Sequence, residues 1–239
     1  MAGLRAALLG ALLSPGHGAG FTWLDAYVKA PNVDADDYFV SSVALSGDVL
    51  AVGAWDSSCT TGVTTTAAID NGCSRAGAVY VYTRSGGEWR FEAYVKAPNT
   101  EAGDHFGTSV ALSGDVLAVG AWEDSCMTGV NTTAATDNGC SNAGAVYVYT
   151  RSGGEWRFEA YVKAPNAEAD DYFGLSIALS GDVLAVGSDR EDSCTTSQFG
   201  SNIALSGDLL AVGAQESSCT TGVNTTAATD NGCSAAGAV

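Results

Sequence analysis

Basic residues are scarce in this chain: ten Lys and Arg stand against 27 Asp and Glu, for a net charge of −17. Nucleic acids and anionic membrane surfaces are drawn to Lys/Arg patches, so neither is an expected partner, and the acidity reads as a solvated surface. Histidine is scarcer still, with only His17 and His105. Tyr38 and Tyr172 replace His105 in sister stretches, no nucleophile elbow follows a strand, and Asp170 and Asp171 are merely adjacent in a link. No catalytic residues are therefore expected, and no enzymatic activity. Four prolines and the absence of helical periodicity argue against helices. Beyond the N terminus there is no run of about twenty apolar residues, so no transmembrane segment is expected within these residues.

What is present is repetition. Ala76–Asn99 recurs letter for letter as Ala143–Asn166, and AYVKAPN begins at Ala26, Ala93 and Ala160, a constant step of 67 residues. Within the unit, Val110–Val119 (VALSGDVLAV) reads as a hairpin whose Gly114-Asp115 supplies the glycine a type II′ turn requires. That turn sets Ser113 opposite Val116, Leu112 opposite Leu117, Ala111 opposite Ala118 and Val110 opposite Val119. Both faces of the ribbon are then apolar, which suits a sheet packed between two others. A second hairpin follows, Ala145–Arg151 and Glu155–Lys163, joined through Ser152, Gly153 and Gly154. In its last strand Trp156, Phe158, Ala160 and Val162 alternate with Arg157, Glu159, Tyr161 and Lys163, the pattern of an outer strand with one face on protein and the other mostly in water. The expected fold is all-β, built of β-propeller-type blades of four antiparallel strands, the first strand near the axis.

Blades start near 38, 105, 172 and 198. The third breaks after Cys194, and Phe199 follows Phe173 by only 26 residues, so a whole hairpin is missing. The fourth stops at Gly237-Ala238-Val239, where a third strand would begin. The expectation is an incomplete propeller, part of a longer one, whose open apolar edges, with Val183, Leu184, Leu209 and Leu210, invite self-association.

Phe106-Gly107, the SVALSGD turn, Val119-Gly120-Ala121 and Gly144–Tyr149 (GAVYVY) resemble the FG-GAP repeat, the blade unit of the integrin α-chain propeller and of many secreted microbial and algal proteins. The motif returns at Phe39-Val40, Phe173-Gly174 and Phe199-Gly200, each followed by SGD and then VGA or VGS. The resemblance implies a propeller and an extracellular binding or adhesion role toward a protein or glycan. Integrin-type blades often bind calcium through D-x-D-x-D-G in the first hairpin. Here only Leu-Ser-Gly-Asp separates Ala111 from Val116, so Asp48, Asp115, Asp182 and Asp208 read as turn residues and no metal or other cofactor is expected.

Residues 1–19, with Arg5, the apolar run Ala6–Leu13 and small residues after Pro15, read as a secretory signal peptide. The repeats occupy 20–239. Residues 21–32 (FTWLDAYVKAPN) match the end of a repeat and are expected as a lone outer strand. The links VDADD (with Asp34, Asp36 and Asp37), TEAGD and AEADD are expected to be flexible, solvated connections. Cys59 and Cys73, Cys126 and Cys140, and Cys219 and Cys233 each bound one loop at equal spacing, which reads as local disulfides in an oxidising compartment. Zinc would need four ligands where each loop offers two. Cys194 has lost its partner and is expected as a free thiol or an intermolecular bridge. Asn131 and Asn224 head N-glycosylation sequons in equivalent loops. The reading is a secreted or cell-surface binding module without catalysis. The alternatives are a structural matrix glycoprotein and a non-catalytic fragment of a larger polysaccharide-active protein.

Overall fold

A computed structural model describes residues 26–32, 38–123, 125–188, 198–207, 209–216 and 236–238, in which every regular element is a strand. The first blade holds β1 (Tyr38–Ser46), β2 (Val49–Trp55), β3 (Val63–Thr64), β4 (Ala78–Ser85) and β5 (Glu88–Val95), and the second β6 (Ser109–Ser113), β7 (Val116–Ala121), β8 (Gly129–Asn131), β9 (Ala145–Ser152) and β10 (Glu155–Lys163). Among the described residues the third has β11 (Ser176–Ser180) and β12 (Val183–Gly187). The fourth has β13 (Gln198–Ser206), β14 (Leu209–Glu216) and β15 (Ala236–Ala238). These are antiparallel sheets in an open array, an incomplete β-propeller, as the repeat pattern predicts.

The glycine turn sets the register of each inner hairpin. Gly114 takes φ +55°, and Ser113, Leu112, Ala111 and Val110 pair with Val116, Leu117, Ala118 and Val119 as the spacing predicts. The complete blades differ from expectation in having five strands, in the order β1-β2-β4-β5-β3 and its equivalent. The long loop after the second strand folds back, and Gly129–Asn131 pair with Lys163–Tyr161, covering an edge that would otherwise offer unpaired N–H and C=O groups.

The last strand also departs from its predicted alternation. Its pairing slips between Phe158 and Ala160, a β-bulge that inserts Glu159 and reverses the phase beyond it. Tyr161 and Lys163, predicted to face water, are 0% and 2% exposed. The first blade repeats the slip around Glu92, whose carboxylate reaches the second blade: Arg151 Nη2 donates to Oε2 at 2.7 Å and Trp156 Nε1 to Oε1 at 3.1 Å.

Neighbouring blades meet through their inner hairpins. Val49, Ala51, Val79 and Val81 of the first form one core with Val110, Leu112, Leu117 and Val119 of the second, and Ala111, Ala118 and Val146 pack with Ile177 of the third. A polar latch repeats along the array. The Gly114 N–H donates to Ser46 Oγ at 3.0 Å, Gly181 to Ser113 Oγ at 3.0 Å and Gly207 to Ser180 Oγ at 3.1 Å. The last spans 27 residues of chain and the others 68, so the fourth hairpin stacks on the third through the same latch although a hairpin is missing between them.

The backbones approach closely at the motif glycines. Gly107 O accepts from Ser42 Oγ at 2.8 Å and lies where a β-carbon on Gly53 would stand, and the Gly107 N–H donates to Gly120 O at 2.9 Å. Gly107 takes φ +90°, and in the first blade Val40 holds the same left-handed region at +78°, a strained conformation for a β-branched side chain.

Residues 26–30 carry no strand pairing, which corrects the expected lone outer strand; 21–25 lie outside the described residues. The segment is a strap across the first blade instead. Tyr82 OH donates to Lys29 O at 2.7 Å, Tyr80 OH to Asn32 Oδ1 at 2.7 Å, and Asn32 Nδ2 to Ala68 O at 2.6 Å. Lys96–Asn99 lie on the second blade in the same way, through Tyr149 OH to Lys96 O and Tyr147 OH to Asn99 Oδ1.

Gly53→Ala is expected to destabilise the chain by about 3 kcal/mol, because a methyl group there can be accommodated only by separating two blades. Urea unfolding measures it. A loss below about 0.5 kcal/mol, the range of ordinary surface substitutions, would contradict the close contact.

Candidate functional site

The two edges of a complete blade are unlike. One carries two-residue turns, Gly47-Asp48 and Gly86-Gly87 in the first blade, while the other carries the long loop between β2 and β4 and the link to the next blade. Asp48, Asp115 and Asp182 sit in the tight turns. Asp208 lies outside the described residues, as do Asp34, Asp36 and Asp37, and the sequence-level candidates Cys194, Cys219, Cys233 and Asn224. The long loops are the candidate ligand-presenting site.

Each loop is held at both ends. Cys59–Cys73 and Cys126–Cys140 are disulfides, with Cα separations of 4.9 and 5.0 Å. Closing about 15 residues contributes roughly 3 kcal/mol in the chain-entropy model. Beside the bridge an aspartate gathers the first turn of the loop. Asp70 accepts from the Cys59 N–H at 2.8 Å and Ser58 Oγ at 2.7 Å; Asp137 accepts from Ser125 Oγ at 2.6 Å and the Cys126 N–H at 3.0 Å. Both carboxyls are held below their ordinary range, Asp70 chiefly by the Cys59 N–H and Asp137 chiefly by the Ser125 hydroxyl. That contribution is present above the ordinary carboxylate range and is lost as pH falls through the lowered values.

Under the loop a carboxylate is buried. Asp56, 2% exposed, accepts at Oδ1 from Tyr94 OH (2.7 Å) and the Ser58 N–H (2.8 Å), and at Oδ2 from Tyr80 OH (3.0 Å). The Lys96 ammonium, fully buried, lies 3.5 Å from Oδ1 and donates to Ser58 O at 2.7 Å. The second blade has Glu123 in this place, and the longer side chain tightens the pair: Lys163 Nζ donates to Oε2 at 3.1 Å, Tyr161 OH at 2.6 Å and the Ser125 N–H at 3.0 Å. Burial, and then the Asp56 charge, pushes the Tyr80 and Tyr94 hydroxyls far above their ordinary range, so they remain donors; Tyr161 is raised likewise by burial and Glu123. Burial pushes the Lys96 ammonium down, and Asp56 opposes that shift. The bulge and the Asp/Glu equivalence at 56 and 123 are what bring these groups together. The lysine recurring in every AYVKAPN was the signal available in the sequence.

The two described links, at 100–104 and 167–171, are more ordered than predicted. Asp104 and Asp171 are 7% and 6% exposed, and accept from the N–H groups of Glu101 and Glu168, both at 2.7 Å, closing a tight turn. The Phe106 and Phe173 N–H groups donate to Ala76 O and Ala143 O, laying each link on the preceding blade's loop. Between the links runs a row of rings, Tyr38–Trp55–His105–Trp122–Tyr172, with successive centroids 5.1, 5.3, 4.3 and 5.4 Å apart. His105 Nδ1 and Trp122 Nε1 are buried without a hydrogen-bond partner among the described residues. Burial, and then the Arg75 charge, lowers the His105 imidazole below its usual range.

Asn131 lies in β8 at the loop-bearing edge, half-buried, its Nδ2 donating to Thr128 O at 3.2 Å. An open cavity of about 760 Å³, lined by Asn166, Asp171, Phe173, Val186, Ile203 and Leu210 among others, occupies the space beside β12 where complete blades have their second hairpin. Among the described residues no three of His, Cys, Asp and Glu gather as a metal would require, and no helix is long and apolar enough to cross a membrane.

Stacked, loop-bearing blades of this kind define a β-propeller-type module. The FG-GAP repeat family model matches residues 25–82, 89–149 and 156–198, and the chain belongs to the FG-GAP repeat family. No curated protein matches it. The first two matches each hold a strap together with the tyrosines that bond to it, Lys29 and Asn32 with Tyr82 and Tyr80, and Lys96 and Asn99 with Tyr149 and Tyr147.

Two outcomes are expected here. Lys163→Met leaves Glu123 buried without its cation and should cost about 3–5 kcal/mol, whereas Glu123→Gln combined with Lys163→Met should cost clearly less than the two single losses together; a urea double-mutant cycle that is additive would contradict the coupling. His105 binds fewer protons folded than unfolded, so its stabilisation is present above its ordinary value of about 6.5 and is lost as pH falls below it. In His105→Tyr, which restores the residue of the sister blades, the decline of the thermal midpoint between pH 7 and pH 5.5 should be shallower than in the parent; an unchanged slope would exclude His105 as its source.

Proposed function

We propose that the chain is a secreted or cell-surface binding and adhesion module that recognises a protein or glycan through the loops on one edge of its blades, without catalysis. The observation that carries this reading is the investment in those loops: each described one combines a disulfide, a buried carboxylate–lysine pair and an aspartate-capped first turn, while the opposite edge has two-residue turns. Loops fixed on a rigid scaffold lose little entropy on binding, the usual reason recognition is placed on them. The disulfides support an oxidising compartment. In a eukaryotic host a glycan at Asn131 would add to the same edge.

The test is a screen of the oxidised protein against glycan and extracellular-protein arrays. A specific ligand is expected, with affinity falling at least tenfold in Cys126→Ser/Cys140→Ser while the blades remain folded. Binding that survives substitution of both described loops would place recognition elsewhere, and turnover of a bound polysaccharide would refute the non-catalytic reading.

A further inference from the structure

The inner hairpins use two different faces to stack. One carries large side chains, Val110, Leu112, Leu117 and Val119 in the second blade, and packs with the blade before. The other is smaller, with Val49 and Ala51 in the first blade and Ala111 and Ala118 in the second, and packs with the blade after. At the two ends of the array part of each face lies open, although Leu50 and Val52 of the first blade's large face are only 1% exposed. On the first blade Val43 and Leu45 are 45% and 41% exposed, where their counterparts Val110 and Leu112 are 9% and 8%. On the fourth, Leu209 is 73% exposed where Val49 is 8%, and Ala204 and Ala211 are exposed where Ala111 and Ala118 are buried. The latch is split in the same sense. Gly47 stands at the donor position of Gly114, Ser206 stands at the acceptor position of Ser46, and both are exposed.

The two ends are therefore the two halves of an interface whose latch the chain already makes three times within itself and whose apolar packing it makes twice. We infer that the protein associates head to tail with a second copy. The large face of one copy's first blade packs on the small face of the other's fourth blade, and the Gly47 N–H donates to the Ser206 hydroxyl across the contact. This is independent of any external ligand. The occupant is fixed by continuity: what fits the small face of one inner hairpin in this chain is the large face of another. Because the described residues of each copy present one head and one tail, two copies use both ends reciprocally, giving a ring of the eight described inner hairpins, within the range of blade numbers that propellers close with. The net charge of −17 opposes association, while the residues named in the contact are uncharged, so association strengthens as salt screens the repulsion.

Sedimentation equilibrium at about 0.5 M salt, in a Cys194→Ser background that removes the unmatched thiol, tests this. The parent is expected to sediment at twice the monomer mass. Leu45→Lys and Leu209→Lys, each reducing the negative charge at an exposed position, should each be monomeric alone. Mixed in equal amounts they should regain the twofold mass, because each supplies the end that the other lacks. A monomeric parent overturns the inference. So does either single variant remaining dimeric, the sign of head-to-head or tail-to-tail contact, or a mixture that stays monomeric while both variants keep the parent's β-sheet circular dichroism.

Discussion

The carbonyl oxygen of Gly107 occupies the place where any other residue at position 53 would carry its β-carbon. The array depends on that approach. An isolated hairpin with two apolar faces, such as Val110–Val119, cannot bury both by itself; it needs a sheet on each side, close enough for the side chains to interlock. Glycines at 53, 107 and 120 allow that distance, and the serine latches hold it. The contact is local to the inner hairpins, which is why the fourth blade stacks through the latch even where the third has lost its outer strands. The loss appears as the open cavity beside β12.

On this frame the outer half of each complete blade does something different. It takes a charge pair out of water and builds a loop over it. The desolvation of Asp56 and Lys96, or of Glu123 and Lys163, is offset only because tyrosine hydroxyls and the N–H groups of Ser58 and Ser125 saturate the carboxylates. The first turn of the loop is therefore anchored by the core, and the disulfide then limits what the rest can do. A loop so held has a fixed origin and a bounded reach, which is what a recognition surface needs.

The inner hairpins were legible because one feature specifies them: glycine at the first turn position fixes the register, and the register fixes every facing pair from Ser113/Val116 to Val110/Val119. The disulfides at 59/73 and 126/140 were legible because equal spacing at both ends of one loop needs no long-range information. The buried site was not. Tyr161 and Lys163 read as water-facing because period-two counting assumes an unbroken pleat, and nothing in EWRFEAYVK marks the bulge at Glu159. The fifth strand was missed because GVN has no strand-like pattern of its own and pairs only when the loop is folded back over β10.

By itself, then, the sequence determined the repeat, the all-β class, the turn chemistry and the family, because each rests on residues near one another in the chain. Tertiary structure alone decided where the charges are buried. It converted AYVKAPN from an expected strand into a strap in residues 26–32, and it turned the supposedly flexible links into capped turns around Asp104 and Asp171. Those outcomes depend on partners distant in the chain, such as Asn99 and Tyr147, that meet only when one blade is laid on the next.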